Sequence, residues 1–343
     1  MFTRRKLSIS VALMLALTLL MTLSASAQAP ALEGTAHFRD ANAASDSLLV
    51  NFGPDSEGFG GAAVLSPGST YEGWLIDADD NKLSTGRLGR GPYLQGEYVS
   101  PSGADLLGRY STFVITVEPL DDPDPAPSGV IAYGAATRGA VLSHVSALVG
   151  EGGAATAARD QAAQVLAYAE AGDADMAAGM LDGVVASARD ASAVASDLLF
   201  SSASGGDENV EDVANDIIDA SNNVIRLAGE VRDAASRASS GSGIEAQQET
   251  KNLLAWATRL YLGTEQDGQA LDQMTRKAES PYGAVHLYEL SQDLAAFRPS
   301  VGAPPATGDS FVPMVALAAL VLGAAFVLSG GLVVFRSRRR AFA

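Results

Sequence analysis

Cysteine is absent from the 343 residues. That excludes a disulfide framework, a thiol nucleophile, a zinc–thiolate site and an iron–sulfur centre. Basic side chains are scarce too: 23 Lys and Arg stand against 40 Asp and Glu, a formal charge of −17. No nucleic acid partner is expected, because phosphates require a basic stripe. Histidine occurs three times, as His37, His144 and His286, each in a separate expected element without an acid at ligand spacing. A Gly-x-Ser-x-Gly elbow, a His-Glu-x-x-His pair and a Walker phosphate loop are all missing. Carboxylate pairs arise by chance in so acidic a chain and identify no acid–base couple. The sequence thus predicts a protein that is not an enzyme, with no catalytic residue, no metal and no cofactor.

Long apolar runs occur only near the two ends. Arg4, Arg5 and Lys6 precede an uncharged run from Leu7 to Leu23 and the small residues Ala25-Ser26-Ala27. Residues 1–27 therefore read as an export signal, cut between Ala27 and Gln28. From Phe311 to Phe335 there is no charge, and Arg336, Arg338, Arg339 and Arg340 follow. As a helix this run is about 37 Å long, enough to cross a bilayer core of ~30 Å. The arginines place a short tail, 336–343, in the cytoplasm. The signal holds three basic residues and the tail four, without an acid, so residues 28–310 carry −24.

Between the ends, residues 32–136 are rich in Gly, Pro and Asp, with short apolar alternations. Strands are expected at 34–39, 47–52, 61–65, 71–77, 82–88, 94–99, 112–118 and 130–133. Turn signals such as Gly53-Pro54-Asp55 and Ser66-Pro67-Gly68 separate them. This spacing predicts an antiparallel β-sandwich. Trp74, a large aromatic on a strand, is expected to fill the space between the two sheets. Asp77, Asp79 and Asn81 sit at alternate positions as in a calcium loop, but Lys82 and Leu88 stand where Gly and Glu are needed. A turn that caps its own backbone is the expected structure.

Three motifs in this stretch stand in order: Tyr71-Glu72-Gly73-Trp74-Leu75, Thr116-Val117-Glu118-Pro119 and Pro127-Ser128-Gly129-Val130-Ile131. In order and spacing they resemble the extracytoplasmic C-terminal domain of anti-sigma-K factors of the RskA type. The resemblance implies the same outer module, with Tyr71, Trp74, Thr116, Glu118, Pro119, Pro127 and Gly129 in structural roles. That family begins with a cytoplasmic sigma-binding segment, often with Cys and His ligands. This chain has an export signal there, so binding of a sigma factor is not implied. Near the C-terminus, Pro304-Pro305-Ala306-Thr307-Gly308, the apolar run and the arginines resemble a sortase sorting signal. That resemblance implies cleavage between Thr307 and Gly308, although Pro304 replaces the leucine of the signal. A flexible Pro/Gly linker over 299–310 is the other reading.

Residues 138–298 change character: Ala dominates and the apolar period becomes helical. Helices are expected at 154–171, 174–200, 207–238, 245–262, 268–279 and 283–297. Val210, Val213, Ile217, Ala220, Val224, Leu227, Val231 and Ala234 form one stripe. Leu287, Leu290, Leu294 and Phe297 form another. Gly172-Asp173 reads as a C-cap followed by an N-cap. Short polar connectors favour an antiparallel bundle.

The expected architecture is multidomain, all-β plus all-α: a β-sandwich, then an α-helical bundle, then a single C-terminal transmembrane helix. The expected location is the cell membrane, single-pass with the N-terminal part outside, or the wall if a sortase acts. Expected partners are the membrane and an envelope protein. The expected function is a non-enzymatic surface protein in envelope binding or signalling. The alternative is a structural surface protein linked to the wall at Thr307.

Overall fold

The computed structural model describes residues 32–54, 60–122, 126–201, 203–263 and 282–302. They hold eight strands and six helices. The strands are β1 (Glu33–Arg39), β2 (Ser47–Gly53), β3 (Ser69–Asp77), β4 (Lys82–Gly89), β5 (Leu94–Val99), β6 (Tyr110–Pro119), β7 (Ile131–Ala136) and β8 (Ser300–Val301). The helices are α1 (Gly139–Val149), α2 (Ala154–Glu170), α3 (Ala174–Phe200), α4 (Glu208–Ser240), α5 (Gly243–Leu262) and α6 (Ala284–Asp293).

Two antiparallel sheets form, one in the order β1-β2-β5 and one in the order β4-β3-β6-β7-β8. On β2, Leu48, Val50 and Phe52 are buried while Leu49 and Asn51 are exposed, the period-two pattern of a sheet with one wet face. Phe52 of the small sheet meets Phe113 of the large one with ring centroids 6.4 Å apart. The segment 61–65, expected as a strand, is not one. Gly60 and Gly61 both take positive φ, and the amides of Ala62 and Leu65 bond to Pro92 and Arg90 carbonyls instead.

The helices follow from capping and patterning. Asp173 caps α3 by accepting from the Met176 amide, and Asp207 caps α4 through Asn209. Gly172 takes φ 73°, as the end of α2 requires. The stripe expected on α4 is buried from Val210 to Ala234, with Val213 only partly covered. Ala214, Ser221, Ala228 and Ala235 are buried beside it. The burial is wider than one stripe because α4 is central, touching α3, α5 and α6.

The expectation of an all-β part joined to an all-α part is corrected. Sheets and helices share one buried cluster, from Ala36 and Phe38 through Leu181 and Leu227 to Phe297, so the fold is mixed α/β. The chain closes on itself. After α6 it leaves the helix, and Phe297 exchanges backbone hydrogen bonds with Ala36 at 3.0 and 2.8 Å. Ser300–Val301, expected as linker, then extends the large sheet as β8 beside β7. Helical periodicity reports that a stripe is buried but not against what. Phe297 continues the Leu287–Leu294 stripe in spacing, yet its ring is buried among strands.

The membrane anchor is also corrected. Among the described residues no helix is long and apolar enough to cross a membrane. The run expected to span, 311–335, lies outside the described residues, as do the signal at 1–27 and the helix expected at 268–279. Single-pass localisation, a membrane partner and a transmembrane helix therefore have no counterpart among the described residues.

Candidate functional site

The loop between β1 and β2 organises the junction of sheets and helices. Its two acids fold it locally: Asp46 Oδ1 accepts from the Ala41 amide at 2.7 Å, and Asp40 Oδ1 accepts from the Ser45 amide at 2.8 Å. Burial opposes charge on Asp46, but the amides of Ala41, Asn42 and Ala43 outweigh it and hold its carboxyl below the usual range. Ser45 takes φ 50°, a left-handed conformation that this wiring enforces on a non-glycine residue.

Asp40 carries the loop into the helices. Its Oδ1 also accepts from Tyr288 Oη at 2.9 Å and Gln292 Nε2 at 2.8 Å, both on α6. Its Oδ2 pairs with Arg159 of α2 at 3.0 Å. The Arg159 guanidinium lies 3.8 Å over the Tyr288 ring. Gln292 Nε2 also donates to Ser45 Oγ at 3.0 Å. Burial, followed by the adjacent Asp40 carboxylate, pushes the Tyr288 phenol up to about 12. Tyr288 thus stays the donor in its bond to Asp40.

Beside this hub lies a cleft of about 440 Å³. One wall is α1, through Leu142, Val145 and Val149; the other is the segment that enters β6, through Leu107 and Tyr110, the first residue of the strand. Ser45 reaches the cleft from the hub. The walls are mainly apolar, and charged groups stand at the rim: Asp105, Arg109 and Glu151. Arg109 is engaged, with Nε 3.3 Å from Asp77 Oδ2 and its guanidinium 5.2 Å from the Tyr110 ring centroid. Asp105 Oδ1 accepts from the Gly108 amide at 3.0 Å. The size lies within the range of small-molecule pockets, roughly 300–1,000 Å³.

The residues marked by the sequence motifs gather elsewhere. Trp74 is buried as expected, but not in the cluster between the sheets; its Nε1 donates to Thr116 Oγ1 at 2.9 Å. Tyr71 does join that cluster and donates through Oη to the Ala63 carbonyl at 2.9 Å. Both Glu118 oxygens accept from the Ser128 amide, at 3.0 and 3.1 Å, between Pro127 and Gly129. Glu118, Pro119 and Trp74 border a small polar hollow of about 220 Å³ with Glu72 and Arg87. None of these motif residues lines the larger cleft. Ala27, Gln28, Thr307 and Gly308 lie outside the described residues.

The histidines stay apart. His37 Nδ1 is 3.7 Å from Asp293, and burial with nearby Arg39 holds the ring below its usual range despite that acid. His144 Nε2 is 3.0 Å from Asp197, and His286 lies against Tyr282. The Asp77 carboxylate is occupied by the Asn81 side chain, the amides of Asp79 and Asn81, and Arg109. Among the described residues no three His, Asp or Glu side chains are placed to hold a metal ion.

Sequence reading missed the hub and the cleft. Asp40, Arg159, Tyr288 and Gln292 are far apart in the chain, and each is an ordinary polar residue in its own segment. The one local signal is an Asp at each end of the short loop 40–46. Comparison of the chain with protein-family models, curated proteins and solved structures finds no match.

Proposed function

We propose that the chain is a non-enzymatic recognition protein whose cleft between α1 and the segment that enters β6 takes a small apolar ligand bearing a cationic group. The carrying observation is the cleft itself: apolar walls of Leu107, Leu142, Val145 and Val149, with Glu151 and Asp105 at the rim. The basic rim residue, Arg109, is already tied to Asp77. The remaining field is negative and favours a cation.

The test is calorimetric titration of the full chain with hexyl- and decyltrimethylammonium below their micellar concentrations. Saturable one-to-one binding is expected. Ser146→Trp, which fills the cleft from an exposed position on α1, should abolish it. Glu151→Gln should weaken it by a few-fold, as for a surface ion pair of ~0.2–1 kcal/mol. Absence of binding, or equal binding by the Ser146→Trp protein, would sink the proposal.

A further inference from the structure

The outward face of the β1-β2-β5 sheet is a second built surface, independent of the cleft. Strand register sets it out in rows. Thr35, Asn51 and Gln95 are direct neighbours across the three strands, and His37, Leu49 and Glu97 form the next row. Rows along a strand are roughly 7 Å apart. Asn51, Gln95 and Glu97 are exposed, and Leu49 is 40% exposed. Gln95 Nε2 donates to Asn51 Oδ1 at 2.9 Å, which aligns two amides and leaves their other polar atoms free.

An aromatic ring completes the face. A Cβ added at Gly53 would lie 2.6 Å from Tyr93 Cδ1, so the Tyr93 ring lies against that position. Gly53 shares the outward side of β2 with Leu49 and Asn51, because Leu48, Val50 and Phe52 point inward. Tyr93 is nonetheless 58% exposed. A phenol ring presents an apolar face for C–H groups and a hydroxyl for hydrogen bonding.

The charges on this face select the ligand. Arg39 is used up in a two-point pair with Asp293, at 2.9 and 3.3 Å. Among the described residues, Glu97 and Glu33 are the remaining unpaired charges of this face. Glu33 on β1 and Glu97 on β5 stand two rows apart and exposed, so water screens them and they form no joint site for a cation. They still repel a polyanion and accept hydrogen bonds from hydroxyls. Among the described residues Leu49 is the one exposed aliphatic side chain here, too little for the apolar centre of a protein interface. A ligand matched to this surface is neutral, rich in hydroxyls and has apolar ring faces.

We propose that the outward face of this sheet, through Tyr93, Asn51, Gln95 and Glu97, binds a neutral polysaccharide strand. Rigid strands hold these groups in place without a ligand, so little ordering is needed on binding.

The experiment titrates the full chain with cellohexaose and N-acetylchitohexaose, with polygalacturonate as the anionic control. Binding of at least one neutral probe is expected, with Tyr93→Ala weakening it roughly tenfold. Because Tyr93 also covers Gly53, Gln95→Ala and Glu97→Lys serve as exposed second variants, each expected to weaken binding several-fold. Ser146→Trp in the cleft should leave binding unchanged, so the two sites fail separately. No binding of either neutral probe would overturn the proposal. So would binding unaffected at positions 93, 95 and 97, or equally tight binding of polygalacturonate.

Discussion

Phe297 stacks on Phe113 with ring centroids 5.7 Å apart, while its edge meets Phe38 at 5.5 Å. The C-terminal end of the helical region therefore supplies a core residue to the strands. Replacing Phe297 by Ala should cost about 3–5 kcal/mol, as for other buried Phe truncations. Because sheets and helices share that core, loss of near-ultraviolet and far-ultraviolet signals in denaturant should coincide. Two separated transitions would show that the strands and helices fold independently.

Asp40 is the polar counterpart of this closure. Replacing it by Ala removes the acceptor of Tyr288, Gln292 and the Ser45 amide, and the partner of Arg159. Several donors lose a charged acceptor, and such bonds carry ~1.5–3 kcal/mol each before compensation by water. A loss of about 3 kcal/mol is expected, with Tyr288→Phe costing roughly 1–2 kcal/mol. Denaturant midpoints at constant slope provide the check. A cost below about 1 kcal/mol for Asp40→Ala would mean that water replaces the network freely.

The contrast between these contacts and the local elements explains what could be read from sequence. Strand β5 at 94–99 and helix α3 at 174–200 lie where the sequence put them, because alternation, turn residues and the Asp173 cap are all local signals. Helix α1 had no such signal: Arg138 makes no side-chain cap, and no acid occupies the first turn. Its apolar face is defined by the cleft and by α2, α3 and α6. The sequence marks Trp74 as buried, but the residue lies on the side of its sheet away from the shared core. An alternating pattern fixes which residues share a face, not which face meets the second sheet. Phe297 and the Asp40 hub depend on chain closure, which no single segment records.

Glu118 anchors the segment that returns toward β7. Its two oxygens receive the Ser128 amide, and Ser128 Oγ donates to the Val117 carbonyl at 2.9 Å. Glu118 is only 3% exposed, so Glu118→Ala leaves that amide without its acceptor at a cost of ~1–3 kcal/mol. Glu118→Gln keeps one acceptor and the shape, and should cost under about 1 kcal/mol. Thermal unfolding of the pair separates the two roles. Equal losses would show that charge, rather than the hydrogen bond, is what the position requires.

Tyrosine burial sets the alkaline limit of the fold. Burial, then Asp40, pushes Tyr288 to about 12; burial, then Tyr133, does the same for Tyr71. An unfolded tyrosine ionises near ~10. Between those values the unfolded chain has released protons that the folded chain still holds. Stability then falls as pH rises, and the contribution of these two phenols, complete below pH ~10, is lost on approach to about 12. Phenolate absorbance should show Tyr71 and Tyr288 ionising above the ordinary tyrosine range. Denaturant midpoints should decline over the same window, and less steeply in Tyr288→Phe, which has no phenol to ionise there. An identical pH slope in that variant would mean that Tyr288 is not protected by its burial and its bond to Asp40.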